Sequence, residues 1–461
     1  MDSADLVFAG IARQAEMVAS GDVSPIELVE ACLDRIERLN PQLNAFRVVL
    51  AEQARAEARQ AEGRRGAGGD RPLLGVPIAI KDDADVAGEI TAFGTGAQGG
   101  PAYADCEMVR RLREAGAIVI GKTNVPELTI WPWTETQTWG ITRNPWDASL
   151  TPGGSSGGSA SAVASGMVGA ATASDGLGSI RIPAACCGLF GLKPQRDRVS
   201  LRPRVGEWHG LAHYGTLTRS VRDTALFLDA VADRPPAEPF SAAAARSPGK
   251  LRIALSFKIP SGLIAPVHSD VKRVTNEAAD LLRSLGHDVV QRDPGYSIAA
   301  TRSSLARYFR GIRDDAAELP HPEKLEKRTK GMARAGRLVS DRALQRTLDK
   351  EPKFTEQLNE IFRDVDVVLT PVLARPPLRA DALRGKGAIA SFNAAGRFVP
   401  FPGPWNVTGQ PAATVPAGQA ADGFPLCVQI VGRPDDEATL LSLAAQMEAE
   451  RPWADRRPPI S

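Results

Sequence analysis

Apolar positions near the start of the chain recur at helical spacing. Ile26, Leu28, Val29, Leu33 and Ile36 mark one helical face. The stretch SPIE, Ser24–Glu27, places an N-cap serine before it, proline at the first helical position and glutamate three residues after the cap. Pro41 is read as the end of this helix, and residues 1–64 as a helical segment overall. The period then changes. GVPIAI, Gly75–Ile80, is a continuous apolar run that stops at Lys81, which predicts a buried strand with a polar tip. AIVIGKTN, Ala117–Asn124, repeats the pattern after the helix-like CEMVRRLREAG. LRIALS (251–256) and VDVVLTPV (365–372) repeat it again. Helix followed by buried strand, several times over, predicts an α/β sheet covered on both faces.

Three stretches break the alternation. Residues 157–173, GGSASAVASGMVGAATA, are small throughout, but Val163, Met167 and Val168 give them buried-helix character rather than that of a flexible linker. Residues 233–250, DRPPAEPFSAAAARSPGK, read as a surface linker. Residues 296–352 are charged and helical, and read as a solvated face.

Composition adds exclusions. The chain has 461 residues, 43% apolar and 24% charged, with a net charge of +2, so neither a nucleic acid nor a membrane surface is expected as partner. No apolar run reaches membrane-spanning length. The N-terminus carries acids and lacks a basic region followed by a cleavage site, which fits a cytoplasmic protein. Five scattered cysteines without C-x-x-C spacing fit a reduced compartment and no zinc site. No metal or cofactor is expected.

The candidate chemistry lies in TPGGSSGGSASA, from Thr151, and SDGLGSIRIPAACCG, from Ser174. A phosphate loop would need a lysine straight after its glycines, and none occurs before Lys193. Gly154–Gly158 matches G-x-S-x-G around Ser156, but a nucleophile elbow needs a strand before it and a histidine partner. NPWDASLTP before it is loop-like, and none of the five histidines lies in a motif that marks it as a base.

Taken together, GVPIAIKDDADVAG, GGSSGGSASAVASG, SDGLGSIRIPAACCGLFGLKP and NVTGQPAATVPAG closely resemble the amidase signature family, over nearly the whole chain. The resemblance implies one α/β domain, with a mixed, mostly parallel twisted sheet surrounded by helices. Its sections would be the helical segment 1–64, a signature core 65–232, the linker 233–250 and the rest of the sheet in 251–461, with a variable helical region near 296–352. It implies a serine–serine–lysine triad: Ser179 as nucleophile, Ser155 as bridging serine on a cis Gly154–Ser155 peptide, and Lys81 as general base. Gly154, Ser156, Asp175 and Arg181 fall on supporting positions. The chain departs from the family pattern at Asp83, where asparagine is usual, and at Leu177, Gln195 and Thr216. None of these departures is expected to touch the triad, and Leu177 is expected to bear most on substrate choice.

The residue types suit the chemistry. A lysine at the end of an apolar strand is desolvated, which favours the neutral amine. Such an amine can draw a proton from Ser179 through the Ser155 hydroxyl, which both donates and accepts. The N–H groups of Gly176, Leu177, Gly178 and Ser179 are candidates for an oxyanion nest. Asp175 and Arg181 are read as an ion pair bracing that loop. Of Trp131, Trp133, Trp139, Phe93, Trp208 and Trp405, most are expected in the core, with some lining an apolar pocket. The expected activity is hydrolysis of aryl or alkyl amides, with esters and carbamates as further substrates, by a monomer or homodimer. Two rivals remain at this level: the glutaminase subunit of a tRNA-dependent amidotransferase, and a non-catalytic binding protein on the same fold.

Overall fold

The computed structural model describes residues 2–64 and 71–461. Residues 65–70, at the start of the expected core section, lie outside the described residues. Ser24 caps the helix Pro25–Leu43 by accepting from Glu27 N at 3.1 Å, and the Glu27 carboxylate accepts from Ser24 N at 2.7 Å. Pro41 does not end this helix. It sits in the last turn, where it removes one donor, and the helix runs on to Leu43 and closes at left-handed Asn44, whose N–H reaches Asn40 O.

The strands are β1 (Phe46–Val49), β2 (Pro77–Lys81), β3 (Ile118–Thr123), the short hairpin β4 (Glu135–Thr136) and β5 (Gly140–Ile141), β6 (Ala170–Ser174), β7 (Phe190–Lys193), β8 (Tyr214–Thr218), β9 (Arg252–Leu255), β10 (Asp288–Gln291), β11 (Val367–Pro371), β12 (Ala412–Gln419) and β13 (Pro425–Val431). Eleven form one mixed sheet in the order β1-β3-β2-β6-β8-β7-β12-β13-β11-β9-β10, surrounded by helices. Its parallel ladders fall in two blocks, β3-β2-β6 and β11-β9-β10. The parallel character expected of most of the sheet belongs to these blocks. The strands between them, from β6 to β11, pair antiparallel, as does β1 at the edge. Helix-then-strand alternation marks the two blocks, and short returns such as 420–424 between β12 and β13 allow the antiparallel pairs.

Strand alternation sends Ile78 and Ile80 into one apolar layer and Ala79 into the other. Lys81 shares the Ala79 side. That side is covered by the wholly buried helix Gly157–Ala164, whose Gly158 lies against the backbone of Ala45 and Asn124, where a side chain would not fit. The small-residue stretch is therefore helix only to Ala164. It turns at Gly166 (φ +69) and continues as β6.

Two loop expectations change. Residues 233–250 hold the helix Phe240–Ala245, whose Phe240 and Ala243 are buried in the core, so this stretch is partly anchored. Residues 296–352 are not merely a solvated face. The helix Ile298–Glu318 buries Ser304, Tyr308 and Ile312 on one face, together with Arg307, whose guanidinium pairs with Glu351 at 2.5 Å. Among the described residues, no helix is long and apolar enough to cross a membrane. All five cysteines are buried and free.

Candidate active site

Lys81 ends β2, and Ser174 ends the neighbouring β6. Thr172 Oγ1 accepts from Lys81 N at 2.8 Å and ties the two strand ends together. The turn before the small-residue helix supplies Ser155, and the turn after β6 supplies Ser179. Ser156 N donates to Ser179 O at 3.3 Å and couples the two turns. The Gly154–Ser155 peptide is cis. Gly154 must be glycine here, since a Cβ would lie 2.5 Å from Trp131 O.

Lys81 is fully buried. Its Nζ donates to Ser155 Oγ at 2.8 Å and to Ser174 Oγ at 2.6 Å. It also lies 3.0 Å from Asp83 Oδ2, to which Ser174 Oγ donates at 2.5 Å. Asp83 therefore does touch the lysine, contrary to expectation. Asp82 is bound by Arg47 and Lys122 at 2.6 and 3.2 Å, and Tyr214 Oη donates to Asp83 O, leaving the Asp83 carboxylate to face Lys81. Burial lowers the Lys81 pKa, the direction expected of a desolvated amine, and Asp83 opposes that shift.

The loop after β6 is braced as read. Arg181 Nε and Nη2 each lie 3.0 Å from an Asp175 oxygen, and both residues are fully buried. The same guanidinium donates to Asn406 Oδ1, Gln429 Oε1 and Pro402 O. Burial alone would raise the Asp175 pKa, but the charge and hydrogen bonds of Arg181 hold it well below the usual carboxylate range. Asp175 also accepts from Gly178 N at 2.5 Å and from Ile180 N at 3.2 Å. Gly178 N–H is thereby committed to Asp175 and leaves the candidate oxyanion set, which reduces to the N–H groups of Gly176, Leu177 and Ser179.

Ser179 lines a cavity of about 490 Å³. Its walls include Trp131, Leu177, Trp208, Tyr308, Phe392 and Val407. Among the described residues lining it, Arg397 carries the only charge. Two of the singled-out tryptophans thus reach the cavity. Trp133 stacks behind Trp131 at 5.4 Å, and Trp405 is fully buried in a separate cluster. Ser156 is fully buried, with its hydroxyl on Ser174 O, as a linking rather than an open position. Among the described residues no histidine hydrogen-bonds a serine of the site. His213, the one beside the loop, places Nδ1 at Leu211 O and Asp175 O.

Sequence reasoning missed four residues here. Ser174 closes the Lys81–Asp83 contact. Asp315, whose Oδ2 accepts from Trp208 Nε1 at 2.8 Å, has its pKa raised by burial to about 6. Tyr308 packs edge-on against Trp208 and donates to Ile130 O. Glu207 lies near Lys81 and Asp83, and burial, aided by Asp315, raises its pKa to about 8. Ser174 opens the quoted motif SDGLGSIR and could have been named from it. The others come from distant segments without a local pattern.

The chain matches the Amidase family model over residues 27–441. AmiB2 of Mycobacterium tuberculosis, a protein named as an amidase, is 53% identical over 462 residues, covering 100% of both chains. The solved structure of 6-aminohexanoate cyclic dimer hydrolase complexed with substrate superposes with a TM-score of 0.88 at 31% identity, covering 98% of this chain and 99% of that one. A bacterial aryl acylamidase superposes with a TM-score of 0.85 at 26% identity, covering 97% of each chain. A lysine and serines gathered at adjoining strand ends, on this mixed sheet and with these relatives, have one reading: the chain belongs to the amidase signature family and is a hydrolase acting on amides.

Proposed function

We propose that the protein cleaves neutral, largely apolar aryl or alkyl amides through an acyl-enzyme on Ser179. The observation that carries this reading is the fully buried Lys81, with Nζ 2.8 Å from Ser155 Oγ, beside an apolar cavity that Ser179 lines. Ser179 Oγ attacks the amide carbonyl as its proton passes to Ser155 and the Ser155 proton passes to Lys81 Nζ. The N–H groups of Gly176, Leu177 and Ser179 receive the developing oxyanion, where one donor is typically worth about 3 kcal/mol. The proton returns along the same path to the leaving nitrogen. Water then repeats the cycle on the acyl group.

The cavity supports the substrate class. Trp131, Trp208, Tyr308 and Phe392 offer flat apolar surface suited to rings and methylene chains. Relatives named for an aryl acylamide and for a cyclic amide dimer point the same way. Glutamine carries two charges on its α-carbon, and a lining with one exposed arginine does not pair both. Activated esters and carbamates present a similar carbonyl and are expected as secondary substrates.

The test is a panel of anilide, alkyl amide, carbamate, ester and glutamine substrates, run with a fluorophosphonate probe on wild type and Ser179→Ala. Turnover of the anilide or alkyl amide and loss of labelling in the variant are expected. Labelling that persists, or moves to Ser156, would remove Ser179 from its role. Turnover of glutamine alone would favour the amidotransferase reading.

A further inference from the structure

We infer that Asp83 is a positioning residue of the reaction: its carboxylate holds the Lys81 ammonium group in register with Ser155 and so sets the acidity at which that amine begins to act as a base. The inference rests on the reading of Lys81 as the general base.

The geometry is a closed triangle. An ammonium group has three N–H donors, and Lys81 Nζ has three oxygen neighbours: Ser155 Oγ at 2.8 Å, Ser174 Oγ at 2.6 Å and Asp83 Oδ2 at 3.0 Å. Ser174 accepts from Lys81 and donates to Asp83 at 2.5 Å, so it fixes the distance between them. Among the described residues, Asp83 supplies the only carboxylate in ion-pair contact with Lys81.

The other charged and titratable groups around this pair are occupied or further off. Asp175, after β6, is gripped by Arg181. Glu207 faces Arg204 at 3.7 Å and lies near Asp315 of the Ile298–Glu318 helix, and burial, aided by Asp315, raises its pKa to about 8. Tyr214 on β8 and Cys106 are buried, which keeps both neutral. Arg47 and Lys122 both pair with Asp82. A carboxylate at contact distance in a water-poor site acts on the amine more strongly than any of these.

The consequence for the reaction follows from its proton balance. As the bond from Ser179 Oγ to the carbonyl carbon forms, one proton moves from Ser179 to Ser155 and another from Ser155 to Lys81. Lys81 must begin as the neutral amine and ends as ammonium. When the C–N bond breaks, the proton goes back through Ser155 to the leaving nitrogen. Burial drives Lys81 toward the amine, and Asp83 opposes it. Asp83 therefore makes Lys81 a stronger base that becomes available only at higher pH.

The experiment is the pH dependence of kcat/KM for one amide substrate in wild type, Asp83→Asn, Asp83→Glu and Lys81→Ala. Asp83→Asn keeps the volume and removes the charge. Its acidic limb is expected to move down by about one to three pH units, the usual effect of one close opposite charge, with a severalfold lower plateau. Asp83→Glu keeps the charge and holds the limb near its wild-type position. An unmoved limb in Asp83→Asn, with Lys81→Ala inactive, would reduce Asp83 to a structural contact. A limb that moves upward would make Asp83 a store for the lysine's proton instead and also overturn the inference. Amide turnover undiminished in Lys81→Ala would defeat the underlying reading itself. Should Asp83→Asn fail to fold, Asp83→Ser and the pH dependence of fluorophosphonate labelling at Ser179 give the same comparison.

Discussion

The indole of Trp208 lies between Gly176 and Gly311: a Cβ on the first would come within 2.7 Å of the ring, and one on the second within 2.9 Å. One side chain thus joins the candidate oxyanion loop to the long helix Ile298–Glu318, which forms part of the cavity wall. Overpacking of this kind typically costs about 1–3 kcal/mol. Gly176→Ala is expected to lower kcat/KM at least about tenfold by displacing the loop or the ring. Adding Trp208→Leu should restore part of that loss by making room. If the double variant is no better than Gly176→Ala alone, this contact is not the cause.

The Asp175–Arg181 pair gives a prediction about stability. Removing one partner of a buried ion pair costs about 3–5 kcal/mol, because the other charge stays desolvated. Here Asp175 also holds the N–H groups of Gly178 and Ile180, so the loop carrying Ser179 loses its anchor. Arg181→Met should lower the melting temperature sharply or abolish soluble expression. Arg181→Lys should rescue little, because one ammonium cannot span Asp175, Asn406, Gln429 and Pro402 O as the planar fork does. A melting temperature for Arg181→Lys close to wild type would refute this account.

How much of this was legible in sequence depends on whether a contact is local. Lys81 at the tip of an apolar run follows from strand rules, whereas the paired serines were legible only through the short motifs that carry the family resemblance, and Asp175 and Arg181 lie close together in one of them. Asp83 was visible as a departure, but its direction was not. Which of two adjacent aspartates faces Lys81 depends on Arg47 and Lys122, which hold Asp82. Trp208, Asp315 and Tyr308 meet only because a charged helix folds back over the strand ends, and its charges mask its buried stripe. The antiparallel centre of the sheet was equally hidden, since periodicity predicts strands and not their neighbours.

Glu127 should make stability depend on pH. It is buried, accepts Glu326 N at 2.9 Å, and burial together with Glu326 raises its pKa to about 7, against partial opposition from Thr329 and Arg328. Below the unfolded pKa of about 4.3 the carboxyl is protonated in both states and costs nothing. As pH rises toward 7 the unfolded state ionises first, so stability falls, by at most about 4 kcal/mol. Above pH 7 the loss is complete. Glu127→Gln removes this slope while keeping an acceptor for Glu326 N. The difference in melting temperature, variant minus wild type, should therefore grow between pH 5 and pH 8. A constant difference would mean that the carboxyl does not titrate in that window.

Lys81 has two tasks in the proposed reaction, and substrates can separate them. An amide's amine is a poor leaving group and needs a proton as the C–N bond breaks, whereas an activated aryl ester releases a stabilised phenolate that needs little such help. Lys81 sits 2.8 Å from Ser155 Oγ, the hydroxyl through which protons travel both ways. Lys81→Ala should thus slow acylation by both substrates and slow the amide more. The amide-to-ester ratio of kcat/KM is expected to fall at least about tenfold, or ~1.4 kcal/mol of differential transition-state stabilisation. Single-turnover acylation rates are the right measurement, since they keep product release out of the comparison. Equal losses for a matched pair would confine Lys81 to the attack step, with the leaving nitrogen protonated by another group.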